Sequence, residues 1–469
     1  MEVAADFVNG YEVQYVGKYT IWKVVFMSPY LCSLLGNEII ICTILDTLEA
    51  LGNLSGHRRL ANMTQIEAAA PMISVEEPSK IAVVTGWDSL PYDLQENIFQ
   101  RVEFEDLFRL RISCKSWKKL IDSEDFSKLR GTSSREGSFT AINYYIKNKE
   151  WQCIGFDLQS KTWKKIPPFS PTSLPAPDDD LFKEYSLCGH GGLLCADVAK
   201  LPKKGQLVVF NPLTRKKFAL PPLLNPRSPV LVHMSVDSER KSYKVIVAGS
   251  SIASDGHLSK KMEVFDSKTS TWEDAPDLPG PAFGLNEHQA GVCIDGILYF
   301  IAFLEGDCRT RGIVAYHVER REWLDNKTCP IPFSSHSNTL QLIESNGKLY
   351  LFSEQEQGGS VDHCIDVLEI SNCGSEVKKH HWQNVVRVKN SGGRGLQVYP
   401  EHVCVPFGEG RLCVFNTLSR EGVIYNIQNG RKVDVLKPPP HSQKGDGQIF
   451  SLNPASFTLQ LSFDSNPIP

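Results

Sequence analysis

The sequence predicts a mainly β protein, in which a short helical unit is followed by a six-bladed β-propeller. Three observations support this fold class: a helical hydrophobic period confined to residues 87–130, a hairpin-like unit that recurs after residue 139, and an aromatic or aliphatic marker at one place in each copy. The copies repeat about every 50 residues, as propeller-type repeats do. Seven blades are the alternative, because residues 438–465 could complete or close a blade.

Composition limits the classes of function. The chain has 469 residues, of which 41% are hydrophobic, and a net charge of −4. The hydrophobic share suffices for ordinary packed cores, and the near-neutral balance argues against direct binding of nucleic acid through general basicity. The 13 cysteines are scattered without a CxxC pair. This dispersal is typical of a reducing compartment, so the expected location is the cytoplasm and/or the nucleus.

Residues 1–80 precede the helical unit and have no assignable role. Acidic residues stand where a secretory signal would need a basic region. The most apolar stretch, residues 24–45, is interrupted by Pro29 and Glu38. A bilayer-spanning helix needs about 20 predominantly apolar residues, so no membrane association is expected. We expect a poorly ordered extension, with a weakly docked helix pair as the alternative.

The helical unit covers residues 85–130. Leu90, Leu94 and Ile98 recur at four-residue spacing and therefore share one helix face. Pro91 falls near the first turn, where its missing N–H costs nothing. A second apolar stripe includes Cys114 and Trp117. About 40 residues are few for a self-sufficient core, so part of this apolar surface is expected to need a partner; packing on the rest of the chain is the alternative.

The order of residue types in this unit resembles an F-box. The resemblance rests on Leu90-Pro91, Leu94, Ile98, Leu107, Arg109, Cys114-Lys115, Trp117, Leu120 and Phe126. It implies a three-helix unit that docks on the Skp-type adaptor of a cullin–RING ubiquitin ligase. The residues that it implies at or behind this interface are Leu90, Pro91, Leu94, Ile98, Cys114 and Trp117. The sequence departs from the family at Ser113, where an aliphatic residue is more common.

The region from 139 to 465 carries the repeat. Its units read aromatic, polar turn, aromatic, as in GFDLQSKTW at 155–163 and VFDSKTSTW at 264–272. The markers of the six copies are Phe156, Phe210, Phe265, Tyr316, Leu368 and Tyr425. We expect Phe156 opposite Trp163, Phe265 opposite Trp272 and Tyr316 opposite Trp323 in hairpins whose aromatic pairs fill the space between blades.

These units resemble the kelch-type repeats of plant F-box/kelch proteins, including NPLT at 211–214 and LPP at 220–222. The resemblance implies a kelch-type β-propeller over residues 139–465. Four short strands cannot bury both faces of a sheet alone, so neighbouring blades must stack around an axis.

Target recognition is expected on the propeller face that carries the second turns and the links between blades. These segments are longer than the other turns, and loops on a rigid scaffold often carry binding. Aromatic residues and arginine are common interface anchors. The candidate substrate-binding residues are Phe283, Glu287, His288, Arg309 and Arg311. Exposed loop residues without a binding role are the alternative for each.

No catalytic residue, metal site or cofactor is predicted. His363-Cys364 and His380-His381 are neighbours on strands, whose side chains point to opposite faces. FDSKTSTW resembles the aspartate-containing turn of sialidases superficially, but the glycine after the aspartate is missing.

The expected function is therefore that of a non-catalytic substrate-recognition subunit of a Skp–cullin–F-box (SCF) ubiquitin ligase. Its partners would be the adaptor, through it a cullin and a RING protein, and an unknown protein substrate. The alternatives are a non-degradative transcriptional co-regulator or scaffold and, less favoured, a propeller glycosidase.

Overall fold

The computed structural model divides the chain into two compact units, Met1–Ser133 and Ser134–Pro469. The residues that it describes are 5–8, 11–16, 19–21, 90–131, 137–147, 150–169, 187–197, 206–237, 241–250, 259–279, 289–304, 310–331, 340–357, 360–373, 377–390, 402–416, 419, 421–439 and 457–468.

Three short strands form near the N-terminus, where the sequence predicts poor order. They are β1 (Ala5–Val8), β2 (Tyr11–Val16) and β3 (Tyr19–Ile21), and they pair antiparallel in that order. Strand β2 is rich in tyrosine and valine, residue types that favour strands. The apolar stretch at 24–45 lies outside the described residues. Within the part of the chain that is described, no helix has both the length and the apolar character needed to cross a bilayer.

The helical unit contains four short helices among its described residues, one more than the family resemblance implies. They are α1 (Tyr92–Phe99), α2 (Phe104–Ser113), α3 (Lys115–Ile121) and α4 (Glu124–Gly131). The extra boundary comes from Cys114, whose backbone is extended (φ −151°, ψ 157°) and separates α2 from α3.

A small core holds these helices together. Its buried apolar side chains are Phe99, Phe104, Leu107, Leu110, Leu120, Ile121 and Phe126. Arg130 of α4 is also buried, and its Nη1 donates to the carbonyls of Phe99 and Gln100 at 2.8 and 2.7 Å. These carbonyls end α1, where no partner within the helix is available. The buried guanidinium therefore caps α1 and fastens α4 to it.

The second unit is a propeller of six blades; in the described residues five are sheets of four antiparallel strands, and blade 4 has a fifth, short strand. Blade 1 contains β28 (Leu459–Gln460), β4 (Ser138–Lys147), β5 (Glu150–Asp157) and β6 (Thr162–Phe169); blade 2 contains β7 (Leu187–His190), β8 (Leu193–Asp197), β9 (Leu207–Phe210) and β10 (Lys217–Ala219); blade 3 contains β11 (Leu231–Asp237), β12 (Ser242–Ala248), β13 (Met262–Asp266) and β14 (Thr271–Ala275).

Blade 4 contains β15 (Val292–Ile294), β16 (Ile297–Phe303), β17 (Arg311–His317) and β18 (Glu322–Trp323), with β19 (Cys329–Pro330) also paired to β17; blade 5 contains β20 (Leu340–Ser345), β21 (Lys348–Gln357), β22 (Ser360–Cys373) and β23 (Val377–Asn390); blade 6 contains β24 (His402–Pro406), β25 (Arg411–Asn416), β26 (Gly422–Asn426) and β27 (Lys432–Leu436). A short 3-10 helix, Asp325–Lys327, follows β18. First strands contact one another around the ring, for example β7 with β11 and β20 with β24.

The first and last parts of the propeller region meet in blade 1. Strand β28 pairs with β4, so that Leu459 lies opposite Phe139 and Gln460 opposite Ser138. The C-terminal region considered for a seventh blade therefore supplies the missing first strand of blade 1. Joining the ends in one sheet closes the ring and leaves no blade without its innermost strand.

The predicted cross-strand aromatic pairs are confirmed. Each of the six markers lies on the third strand of a different blade. The register places Phe156 opposite Trp163, Phe265 opposite Trp272 and Tyr316 opposite Trp323, with ring centroids 5.5, 5.5 and 5.0 Å apart.

The tryptophans of these pairs also link neighbouring blades. The indole N–H of Trp163 donates to the carbonyl of Lys437, that of Trp272 to Pro221 and that of Trp323 to Pro276, at 2.8, 2.8 and 3.2 Å. Each acceptor lies just after the outermost strand of the preceding blade. The repeated tryptophan thus supplies apolar packing and one directional bond at the same point of successive blades.

Candidate functional site

The sequence-predicted docking residues Leu90, Pro91, Leu94 and Ile98 lie on or directly before α1. The carbonyl of Pro91 accepts from the backbone N–H of Leu94 at 3.0 Å, and the Gln95 side chain donates to the carbonyl of Leu90 at 2.9 Å. These bonds set where the helix begins. Leu94 and Ile98 are then one turn apart on the same helix face, and both are half-buried.

Cys114 and Trp117 lie at the start of α3. The Cys114 Sγ accepts from the backbone N–H of Trp117 at 3.4 Å, so this side chain caps the helix. The Trp117 ring meets Phe99 of α1 edge to face, with centroids 5.6 Å apart. This contact brings the start of α3 beside the C-terminal end of α1. The structure therefore packs Trp117 against the residue that follows Ile98 on α1.

The six predicted docking residues differ from the core in exposure. Pro91 is exposed and the other five are half-buried, whereas the core side chains of the unit are fully buried. Two further apolar side chains of the unit are exposed: Ile112 on α2 is 83% exposed and Tyr92 on α1 is 52% exposed. The Ser113 hydroxyl donates to the carbonyl of Arg109 at 2.7 Å, so the residue that departs from the family pattern is bonded within its own helix.

Charge is distributed unevenly over the helical unit. Burial raises the pKa of Glu96 on α1, and the carboxylates of Asp125 and Asp93 raise it further. Helix α3 carries exposed lysines at 118 and 119. Exposed residues of both signs, Asp93 on α1 and Lys118 and Lys119 on α3, are thus available to a partner.

The propeller candidates are only partly within the described residues. Phe283, Glu287, His288 and Arg309 lie outside them. Arg311 is the first residue of β17, where it pairs with Phe303, and its guanidinium lies 5.5 Å from the centre of the Phe303 ring. The prediction that Arg311 belongs to a loop is wrong, because β17 begins at Arg311 itself. Its role in substrate binding stays a prediction.

The aspartates of the repeated hairpins have a structural use. The Asp157 carboxylate accepts from the Gln159 N–H at 3.0 Å and from the Ser160 hydroxyl at 2.7 Å, and it lies 3.1 Å from Lys164 Nζ. Burial raises the pKa of Asp157, but these bonds outweigh it and hold the pKa below its usual value. An ionised carboxylate that holds its own turn is a poor general acid, so Asp157 is unsuited to that role.

One group of potential metal ligands occurs in the described part of the propeller: Glu354, His363 and His402, all buried. The sequence pairs His363 only with its neighbour Cys364 and gives no sign of this cluster. Glu354 and His363 lie on the two strands of one hairpin, but His402 is 39 residues further along the chain, so only the packing of two blades reveals the cluster.

Two family models match the chain. An F-box domain matches residues 87–129, and an F-box associated beta propeller domain matches residues 146–394. The propeller match covers more than half of the chain. Kelch-type repeats are supported only weakly: an F-box/kelch-repeat protein of Arabidopsis thaliana is 32% identical over 91 residues, which is 19% of this chain and 15% of that protein.

Several further relatives come from Arabidopsis thaliana. An F-box protein is 27% identical over 46% of this chain and 54% of its own length, and F-box only protein 6 is 27% identical over 50% and 47%. The chain thus spans about half the length of these relatives. A solved chain from a nidogen/laminin complex gives a TM-score of 0.36 at 10% identity, over 64% of this chain and 94% of that chain, a likeness too weak to carry an argument. With its four-helix unit, its six-bladed propeller and the two family matches, the chain belongs to the plant F-box proteins that carry an F-box associated β-propeller.

Proposed function

We propose that this protein is the substrate-recognition subunit of an SCF ubiquitin ligase. The F-box, over residues 85–130, would dock on a Skp-type adaptor and through it on a cullin and a RING protein. The propeller, over residues 139–465 and of kelch-like type, would capture a target protein in the cytoplasm and/or the nucleus. The F-box family match and the F-box relatives support this role.

The observation that carries the proposal is the exposure of the predicted docking residues. The core of the helical unit is made by other side chains, so Leu94, Ile98 and Trp117 are not needed to fill it completely. Partly exposed apolar side chains on a small domain favour a protein partner, and Leu94 and Ile98 share one helix face. The propeller in the same chain supplies a rigid scaffold for a second partner.

The protein would act without catalysing a reaction itself. Ubiquitin transfer would be carried out by the partner proteins, and this chain would bring a lysine-bearing substrate close to them in a suitable orientation. If the bound target is stable in cells and is not degraded through the proteasome, the co-regulator or scaffold function is favoured instead.

The test is a binding assay between the full chain and a Skp-type adaptor. We expect a Leu94→Glu, Ile98→Glu double variant to weaken binding by more than about tenfold, because two carboxylates would have to enter an apolar contact. Val433→Glu with Val435→Glu is the matched control, since these valines are 47% and 41% exposed on β27 of the propeller.

Both variants should keep the melting transition of the wild type. Adaptor binding that is lost only in the F-box variant supports the proposal. A folded wild-type chain that does not bind, or an F-box variant that binds like the control, contradicts it.

A further inference from the structure

A buried cluster of two histidines and one glutamate joins blade 5 to blade 6. Glu354 on β21 and His363 on β22 lie directly opposite each other in the register of blade 5. His402 is the first residue of β24 in blade 6, and it lies opposite Asn416 on β25. The exposed fractions of Glu354, His363 and His402 are 7%, 8% and 9%.

The ligand atoms of this cluster converge on one point. Oε1 of Glu354 lies 3.0 Å from Nδ1 of His402 and 3.3 Å from Nε2 of His363. All three ligand atoms lie within 4.8 Å of one another. In a tetrahedral zinc site with bonds of about 2.0–2.1 Å, ligand atoms are about 3.3 Å apart. The cluster therefore needs only small side-chain movements to surround an ion.

We propose that Glu354, His363 and His402 bind one divalent transition metal ion of the zinc class. Two imidazole nitrogens and one carboxylate oxygen are a donor set that suits Zn²⁺. Three protein ligands leave a fourth position for water or for a donor atom of a bound partner. The ion would cross-link two neighbouring blades.

The surroundings of His402 define the metal-free form. Asn416 Oδ1 accepts from the backbone N–H of Ser419 at 2.9 Å, so the amide nitrogen of Asn416 faces His402 Nε2 at 3.1 Å. His402 then accepts at Nε2 and donates its Nδ1 proton to Glu354. Metal binding at Nδ1 of His402 requires this proton to move to Nε2. The Asn416 amide must then turn its oxygen towards Nε2 to accept from it.

This requirement makes Asn416 a tuning residue for the site. An aspartate at this position could accept both from the Ser419 N–H and from the protonated Nε2 of His402. Carboxylates that accept the second N–H of a ligating histidine fix the ring and strengthen its bond to the metal. Asn416→Asp should therefore tighten metal binding, while it leaves all three ligands in place.

The position of the cluster relates it to the propeller face expected to recognise targets. His402 follows the link between blades 5 and 6, and Asn416 precedes the second turn of blade 6. Glu354 and His363 flank the second turn of blade 5. All four residues thus lie towards the end of the blades that carries the second turns and the blade-to-blade links, and a bound ion would brace that end.

The test is Zn²⁺ binding to the untagged full chain after removal of metal by a chelator, measured by titration calorimetry and by metal analysis after dialysis. We expect one Zn²⁺ per chain and a higher melting temperature with the ion. His363→Gln and His402→Gln should each weaken this binding at least tenfold, and Asn416→Asp should tighten it about tenfold. The control is His381→Gln, an exposed histidine of the adjacent pair at 380–381.

Melting of each variant in metal-free buffer checks that it folds. Weaker Zn²⁺ binding in both ligand variants but not in the control supports the site. Tighter binding in Asn416→Asp also supports it, and this result does not depend on whether the ligand variants fold. Absence of stoichiometric Zn²⁺ from the wild type, or equal binding by the wild type and both ligand variants, would overturn it and leave a hydrogen-bonded cluster only. If Asn416→Asp has the same affinity for Zn²⁺ as the wild type, the assignment of His402 as a ligand is overturned.

Discussion

His233 is a buried titratable residue whose protonation should couple to the stability of the propeller. It lies on β11, and its Nδ1 is 2.9 Å from the carbonyl of Ala290. Its Nε2 is buried without a hydrogen-bond partner among the described residues. Burial lowers the pKa of His233 to about 4; the bond to Ala290 opposes this effect and the nearby His190 adds to it. The folded protein therefore keeps this ring neutral.

The stability of the propeller should fall as the pH drops from about 6.5 towards 4. In the unfolded chain the ring takes up a proton near pH 6.5, whereas the folded state excludes that proton until about pH 4. We expect His233→Gln to reduce the loss in free energy of unfolding between pH 7 and pH 4.5 by about 2 kcal/mol. Urea unfolding at the two pH values measures it.

His381→Gln is the control for this prediction, because His381 is exposed. The free energy of unfolding of this variant should depend on pH as that of the wild type does. Parallel pH profiles for wild type and His233→Gln would show that the proton linkage lies elsewhere.

At the scale of elements, the third turn of the blades follows one construction. The residue four positions after the start of the turn has a positive φ in five blades: Lys161 (54°), Arg215 (60°), Ser270 (57°), Arg321 (56°) and Gly430 (66°). In four of these turns an Asp or Asn side chain at the turn start accepts the N–H two residues later, as Asp266 does from Lys268 at 2.8 Å. Only Gly430 carries no Cβ, and a Cβ there would lie 2.3 Å from the carbonyl oxygen of Val385.

Equivalent turn positions should therefore respond to substitution with opposite sign. We expect Gly430→Ala to lower the free energy of unfolding by more than about 1 kcal/mol, because it adds both a positive-φ penalty and a clash with blade 5. Ser270→Gly should leave it unchanged or raise it by up to about 0.5 kcal/mol, since glycine prefers this φ. Chemical denaturation of the two variants beside the wild type measures both changes. Equal effects of the two substitutions would contradict the turn argument.

At the scale of the whole molecule, the C-terminal segment closes the propeller. Leu459, Leu461 and Phe463 are buried. The segment also meets blades 2 and 3, because Asn211 Nδ2 donates to the carbonyls of Ser462 and Ser465 at 2.8 and 2.7 Å, and Tyr243 donates to that of Pro467 at 2.7 Å. This short segment thus bonds to three blades, although only two of its residues belong to a strand.

Deletion of residues 458–469 should abolish cooperative folding of the propeller or lower its melting temperature by more than about 10 °C. Each buried leucine or phenylalanine lost costs about 2–5 kcal/mol, and the total approaches the stability of a typical domain. Thermal unfolding followed by circular dichroism measures the effect. Deletion of 468–469 alone is the control, because Ile468 is 47% exposed. A melting temperature that the longer deletion leaves unchanged would contradict closure by this segment.

Much of the architecture could be predicted from local patterns. The four-residue spacing of Leu90, Leu94 and Ile98 located α1, and the recurring aromatic markers located one strand in each blade. The opposition of Phe265 and Trp272 followed from the length of one hairpin. Each of these features depends on residues close together in the chain, where periodicity and turn length decide the geometry.

Contacts between distant segments were decided only by the tertiary structure. The pairing of Leu459 with Phe139, the capping of α1 by Arg130 and the meeting of Glu354, His363 and His402 have no local signature. The helical hydrophobic period and the repeat of this chain determined a helical unit followed by six similar sheets. The tertiary structure decided which strand closes the ring and which polar side chains become neighbours. Both depend on strand register and on the packing of blades, which involve residues that are far apart in the sequence.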